Sequence, residues 1–119
     1  MGPAEYAVTR SVLGAIALHA AGGHPAVFVR VQAGMIKVGD RLIKLAAAGT
    51  ADLVGVYRGR AVAIEVKTPK GRQADSQREW EAQWTAAGGV YRVVRSGSEA
   101  LELLQQIDQE LGRALHPQR

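Results

Sequence analysis

The sequence predicts one α/β domain with a mixed β-sheet flanked by helices, and three observations carry that expectation. Helix-period and apolar strand-like stretches follow one another in the order α-β-(β-β)-β-β-α-β-α. Two apolar runs, Leu53 to Tyr57 and Ala61 to Val66, flank Arg58-Gly59, a two-residue turn with Gly second that signals an antiparallel hairpin. The chain has 119 residues, 47% of them apolar, enough for one domain with a real core. No internal repeat or linker divides it, so residues 1–112 form the expected domain and 113–119 a frayed tail.

Each element has its own signal. Residues 4–21 read as a helix, with Val8, Val12, Ala15 and Leu18-His19 at helical spacing and Pro3 suited to the first turn. Gly22-Gly23 ends it, and Pro25 lies just beyond. Residues 26–32 read as a strand. Met35 to Lys37 and Arg41 to Leu45 form a short second hairpin around Val38-Gly39-Asp40. A loop, Ala46 to Gly49, leads to Asp52. After the main hairpin comes a basic turn, Thr68 to Arg72, and then a helix over about 74–87 with Gln77, Trp80, Trp84 and Ala87 on one face. Gly88-Gly89 stops that helix, and Val90 to Arg95 is another strand. Ser96 with Glu99 makes a capping box for a last helix to about Leu111, with Leu103, Leu104, Ile107 and Leu111 facing inward.

Composition narrows the chemistry. Fifteen Lys and Arg against eleven Asp and Glu give a formal charge of +4 and a pI near 9.9, which fits a nucleic-acid partner. There is no cysteine, so disulfides and thiolate metal sites are excluded and any metal needs oxygen or imidazole ligands. No apolar run approaches membrane-spanning length and the N-terminus lacks a signal-peptide layout, so the expected compartment is cytoplasmic.

The candidate site lies on the hairpin. Strict alternation puts Val62, Ile64 and Val66 on one face of the strand and Ala63, Glu65 and Lys67 on the other. A two-residue turn at Arg58-Gly59 pairs Tyr57 with Arg60 and, further up the ladder, Asp52 with Glu65. Opposed residues share a face with Cβ atoms ~5 Å apart. A three-residue turn would instead set Val66 opposite Asp52 and split the acids across the sheet. Two carboxylates at that separation repel by roughly 3 kcal/mol at an effective dielectric near 20, and a cation relieves them. Two carboxylates with a lysine beside them suit a Mg²⁺-dependent phosphodiesterase: the acids hold the metal, and the lysine acts on the water or the phosphate. The competing reading is a surface hairpin whose alternating charges are solvated.

Other residues admit two readings each. Glu5 could reach the metal as a third carboxylate, or simply sit well in the first turn of a helix. Gln77 could position a water or a phosphate, or be a polar residue at a helix start. Lys70, Arg72 and Arg78 could track phosphates near the site, and Lys37, Arg41 and Lys44 form a second basic group. His19, His24 and His116 have no metal-ligand spacing and read as incidental. Trp80 and Trp84 read as core rather than base-stacking platforms. No phosphate loop, dinucleotide fingerprint, nucleophile elbow or zinc motif is present.

The ordered set Gly49-Thr50-Ala51-Asp52-Leu53, Ile64-Glu65-Val66-Lys67, Gly71, Gln77, and Gly88 leading into Tyr91 to Arg95 resembles the VRR-Nuc family, a branch of the PD-(D/E)XK nuclease superfamily. With Glu5 and the strand ending Arg30 to Gly34, the resemblance spans most of the chain. Ala51 stands where the superfamily name implies proline, and the 35–48 segment matches no motif. The resemblance implies a restriction-endonuclease-like fold. It implies that Asp52 and Glu65 bind Mg²⁺ or Mn²⁺ with the Val66 carbonyl as a further ligand and Glu5 assisting. Lys67 would orient or deprotonate the attacking water, and Gln77 would support the lysine or the scissile phosphate. Similar standalone proteins of phages and bacteria look like structure-specific nucleases of branched DNA acting as homodimers. A nucleic-acid-binding module that keeps the fold but does not cut is the alternative expectation.

Overall fold

A computed structural model describes residues 2–115, with side chains described to 112. Nine elements follow the expected order: α1 (Pro3–Ala21), β1 (Ala26–Arg30), β2 (Met35–Val38), β3 (Arg41–Lys44), β4 (Leu53–Tyr57), β5 (Arg60–Val66), α2 (Asp75–Ala86), β6 (Val90–Val94) and α3 (Gly97–Leu115). The fold is mixed α/β. Its main sheet has the order β1-β4-β5-β6, antiparallel through β5 and parallel between β5 and β6, where α2 makes the crossover. β2 and β3 form a separate two-stranded ribbon.

The main hairpin has the expected two-residue turn, with Tyr57 opposite Arg60 and Leu53 opposite Ile64. Gly59 has a φ of 81°, and Arg58 also lies at positive φ, 51°. Both central residues at positive φ make a turn whose twist matches the strands it joins. That turn fixes which residues face which side. Leu53, Tyr57, Val62, Ile64 and Val66 point to one face and are buried against α1 and α3 through Val12, Ile16, Leu103, Leu104 and Ile107. Ala63, Val54, Tyr91 and Val93 point to the other, under Trp80 and Trp84 of α2. The two indoles stack at 4.9 Å, and Trp84 Nε1 donates to the Val90 carbonyl, so both serve the core as expected.

Two expectations need correcting. The inward stripe of α1 runs through Thr9, Val12 and Ile16, whereas Leu18 is 78% exposed. Nearly every turn of this helix carries apolar residues, so spacing alone could not choose the face; packing against α3 did. The last helix also continues past Leu111 to Leu115, and the rest of the expected frayed tail, 116–119, lies outside the described residues, as does His116. Its cap is modified too: the Ser96 hydroxyl accepts the Glu99 N–H, but Glu99 reaches back to the Arg95 N–H. Among the described residues no helix is long and apolar enough to cross a membrane.

Candidate functional site

The N-terminal end of β4 and the C-terminal end of β5 meet on the face that α2 covers. Asp52 lies one residue before β4, in a bend. Its carbonyl accepts the Val31 N–H at 2.8 Å, and its Oδ2 accepts the Val66 N–H, also at 2.8 Å. One step beyond the Leu53–Ile64 pair therefore sets Asp52 against Glu65, as expected, although Asp52 has left the regular strand. The Val66 backbone thus enters the site through its N–H, which anchors the aspartate.

Glu65 is only 2% exposed. Gln77 Nε2 donates to its Oε1 at 2.9 Å, and Lys67 Nζ lies 3.8 Å from the same oxygen. The other oxygen, Oε2, is buried with no hydrogen-bond partner. The Asp52 carboxyl is its neighbour, and a proton on Glu65 would be shared between the two, so Oε2 lacks a partner only while both groups are charged. Burial pushes the Glu65 carboxyl up to about 8, and the Asp52 charge and a hydrogen bond to Asp52 push the same way. Lys67 offsets part of this rise, while Glu5 adds a little to it.

Gln77 is held for its task. As the third residue of α2 it turns its Oε1 back to the Ala74 N–H at 2.8 Å, the side-chain half of a capping box. With the amide oxygen so engaged, the NH₂ faces Glu65. Gly49 explains why the loop can approach: at a φ of 89° an added Cβ would overlap the Ser76 carbonyl at the start of α2.

Beside Asp52 and Gln77 opens a cleft of about 620 Å³, whose walls also include Glu5 and Arg30, whereas Glu65 and Lys67 lie behind them and do not line it. Glu5 reaches it from the first turn of α1, on the same helix face as Thr9 and Val12. Among the described residues no three acidic or histidine side chains form a ready metal cluster, so Glu5 stands on the wall rather than in a closed triad. Lys70, Arg72 and Arg78 are all exposed and none lines the cleft; Arg78 pairs with Asp75 at 2.8 Å. Arg95 donates to the Gly71 carbonyl and ties the basic turn down.

Sequence reasoning missed the cation that does line the cleft, Arg30, whose guanidinium lies 5.9 Å from the Tyr6 ring. A signal existed: Arg30 shares the helix-facing side of β1 with Ala26 and Phe28, and a charge at such a position marks where a strand runs past the core. Nor is His19 incidental, since its Nε2 lies 2.9 Å from an Asp108 oxygen. Two adjoining carboxyls, one of which must release its proton, a neighbouring ammonium and a cleft beside Asp52 can accept a hard cation and a phosphate ester next to it. Comparison with protein-family models and with curated proteins finds no match.

Proposed function

We propose that this chain is a Mg²⁺- or Mn²⁺-dependent DNA endonuclease with a restriction-endonuclease-like fold, hydrolysing phosphodiester bonds in branched or junction DNA as a homodimer. The buried, unpartnered Glu65 Oε2 beside the Asp52 carboxylate carries this reading. Two converging carboxyls, one of them buried and holding its proton at neutral pH, lack a counter-charge, and a divalent ion that displaces that proton would supply it. Asp52 and Glu65 would hold the ion; Mg²⁺ is commonly bound by one or two carboxylates, with water completing the shell, so no third acid is required. A bound Mg²⁺ supplies charge neutralisation and polarises a phosphoryl oxygen.

The chain's own residues do the rest. Lys67, as an ammonium, would orient the attacking water and offset charge on the pentavalent phosphate. Gln77 keeps Glu65 aimed by holding its Oε1. Arg30 takes the non-bridging phosphate oxygens from the cleft wall, and Lys70 and Arg72 contribute sequence-independent attraction outside it. The VRR-Nuc resemblance of the ordered motif supports the same assignment.

Plasmid and branched substrates with and without Mg²⁺ or Mn²⁺ test the proposal. Metal-dependent cleavage is expected; no cleavage of any substrate with either ion, while DNA still binds, would leave the non-catalytic binding module. Two lysines then separate chemistry from attraction. Lys67→Ala should lower the rate severely and leave the salt dependence of binding alone, whereas Lys70→Ala should weaken binding and reduce the salt slope by about one unit. If both behave alike, Lys67 is only another phosphate contact.

A further inference from the structure

Lys67 follows the end of β5 and carries a long, flexible stem, yet its side chain is only 12% exposed. Its N–H reaches the Val94 carbonyl at 3.0 Å, which carries the parallel pairing of β5 and β6 one step past Val66 and Val94. Arg95 follows the end of β6, so it stands beside Lys67 where the ladder runs out. Two cations side by side repel, so an arginine at this position does not serve the sheet itself. Its guanidinium turns instead to the chain that leaves Lys67. Nη2 donates to the Gly71 carbonyl at 2.8 Å, and the Gly71 N–H closes a turn on the Thr68 carbonyl at 3.0 Å. That turn lies directly on the lysine: a Cβ at Gly71 would stand 3.4 Å from both Cβ and Cδ of Lys67. Arg95 is itself anchored, since its N–H donates to Glu99 Oε1 at 2.7 Å in the first turn of α3.

We infer that Arg95 is a positioning residue for Lys67: it clamps the Thr68–Gly71 turn onto the lysine stem and so keeps the ammonium at the Glu65 carboxyl, 3.8 Å from Oε1. With the turn released, the stem regains its rotamers and the ammonium can swing out to water. The guanidinium suits the task, because it offers donors in a planar fork and keeps its charge at every working pH. The clamp also separates two neighbouring lysines, since Lys70 belongs to the same turn and is exposed. The consequence for cleavage rests on the nuclease reading; the clamp does not.

Acetylation of the whole chain with N-hydroxysuccinimidyl acetate, followed lysine by lysine by peptide mass spectrometry, tests the clamp without any substrate. In the wild type Lys67 should react more slowly than the exposed Lys37, Lys44 and Lys70. Arg95→Met should raise the Lys67 rate several-fold and leave Lys37 and Lys44 unchanged. Arg95→Lys, which keeps a donor, should restore most of the protection. Cleavage of branched DNA in Mg²⁺ then tests the positioning. Arg95→Met should lower kcat by roughly 10- to 100-fold with DNA affinity and its salt slope unchanged, and Arg95→Lys should recover most of the rate. A wild-type Lys67 as reactive as Lys70 would overturn the clamp before any variant is made. So would an Arg95→Met protein in which Lys67 stays protected, or in which all the lysines rise together as a purely structural role requires. A freed Lys67 with unchanged kcat, or an intact kcat with weakened DNA binding, would overturn the positioning role. Wild-type protein that cuts no DNA would remove the nuclease reading and the positioning role with it, while acetylation would still decide the clamp.

Discussion

Two carboxylates sit at opposite ends of the main sheet, and their surroundings push them in opposite directions. At the turn end, Asp108 of α3 accepts hydrogen bonds from Tyr57 Oη at 2.8 Å and Arg58 Nη1 at 2.9 Å, with His19 Nε2 at 2.9 Å. Burial alone would raise its pKa, but the donors from Arg58, Tyr57 and His19 outweigh that and hold it below the usual carboxylate range. At the cleft end, Glu65 has one amide donor and a lysine at longer range, an aspartate for a neighbour and one oxygen with nothing. The first carboxylate is a completed joint between α1, the hairpin turn and α3. The second is left short of positive charge, which is costly for folding and useful only if a ligand completes it.

The largest difference between the two should appear in activity. Asp52→Ala or Glu65→Ala should abolish cleavage and leave DNA affinity largely intact, since neither removes a cation from the cleft wall. Metal-free stability should change little, because relief of the crowded carboxyl pair is offset by the Val66 N–H that Asp52→Ala strands and the Gln77 amide that Glu65→Ala strands. Near wild-type turnover in Mg²⁺ for either variant would refute the metal assignment. Asp108→Ala should do the reverse. It strands three donors, one on the fully buried Tyr57, and should cost about 2–3 kcal/mol in denaturant unfolding while the turnover of folded protein stays unchanged.

Acid and base should also pull the two ends apart. Glu65 keeps its proton in the folded state up to about 8, whereas an unfolded glutamate releases it near 4.5. Between those values the folded state binds more protons, so this group makes metal-free stability fall as pH rises. Glu65→Gln should remove that fall. Asp108 has the opposite sign: its contribution is present above the ordinary aspartate value, 3.8, and is lost as pH drops through its lowered folded value. Asp108→Asn should lose the acid-side decline and keep the alkaline one. Unfolding curves from pH 3 to pH 9 on the two variants would show whether the slopes separate this way or move together.

The same contrast explains what could be read from the sequence. The register of β4 against β5 was legible because Arg58-Gly59 and two alternating runs specify it locally. The stacking of acids and lysine on one face followed from that register. Gln77 was visible through its position on the helix, though not the cap that aims it. The Asp108 joint was invisible: its partners Tyr57, Arg58 and His19 lie 50 or more residues away, and nothing in the spacing of a helix announces which solvent-side acid will meet them. Arg30 was read only as part of a strand, since its approach to the cleft depends on where α1 and the 49–52 loop come to rest. Along α1 the spacing of Val8, Val12 and His19 marked much of the packed side, whereas Leu18 faces out and Ile16 packs instead, a choice made by α3.

Calorimetric titration of the metal-free protein with Mn²⁺ or Mg²⁺ tests most directly whether Glu65 and Asp52 form an unfinished site. One ion per chain should bind to the wild type, and at neutral pH the heat should depend on the buffer because the Glu65 proton is released as the ion takes its place. Asp52→Asn and Glu65→Gln should each lose the binding, and Asp108→Asn should keep it. Wild-type protein that binds no ion, or that binds it equally well with Glu65 replaced by Gln, would contradict the account.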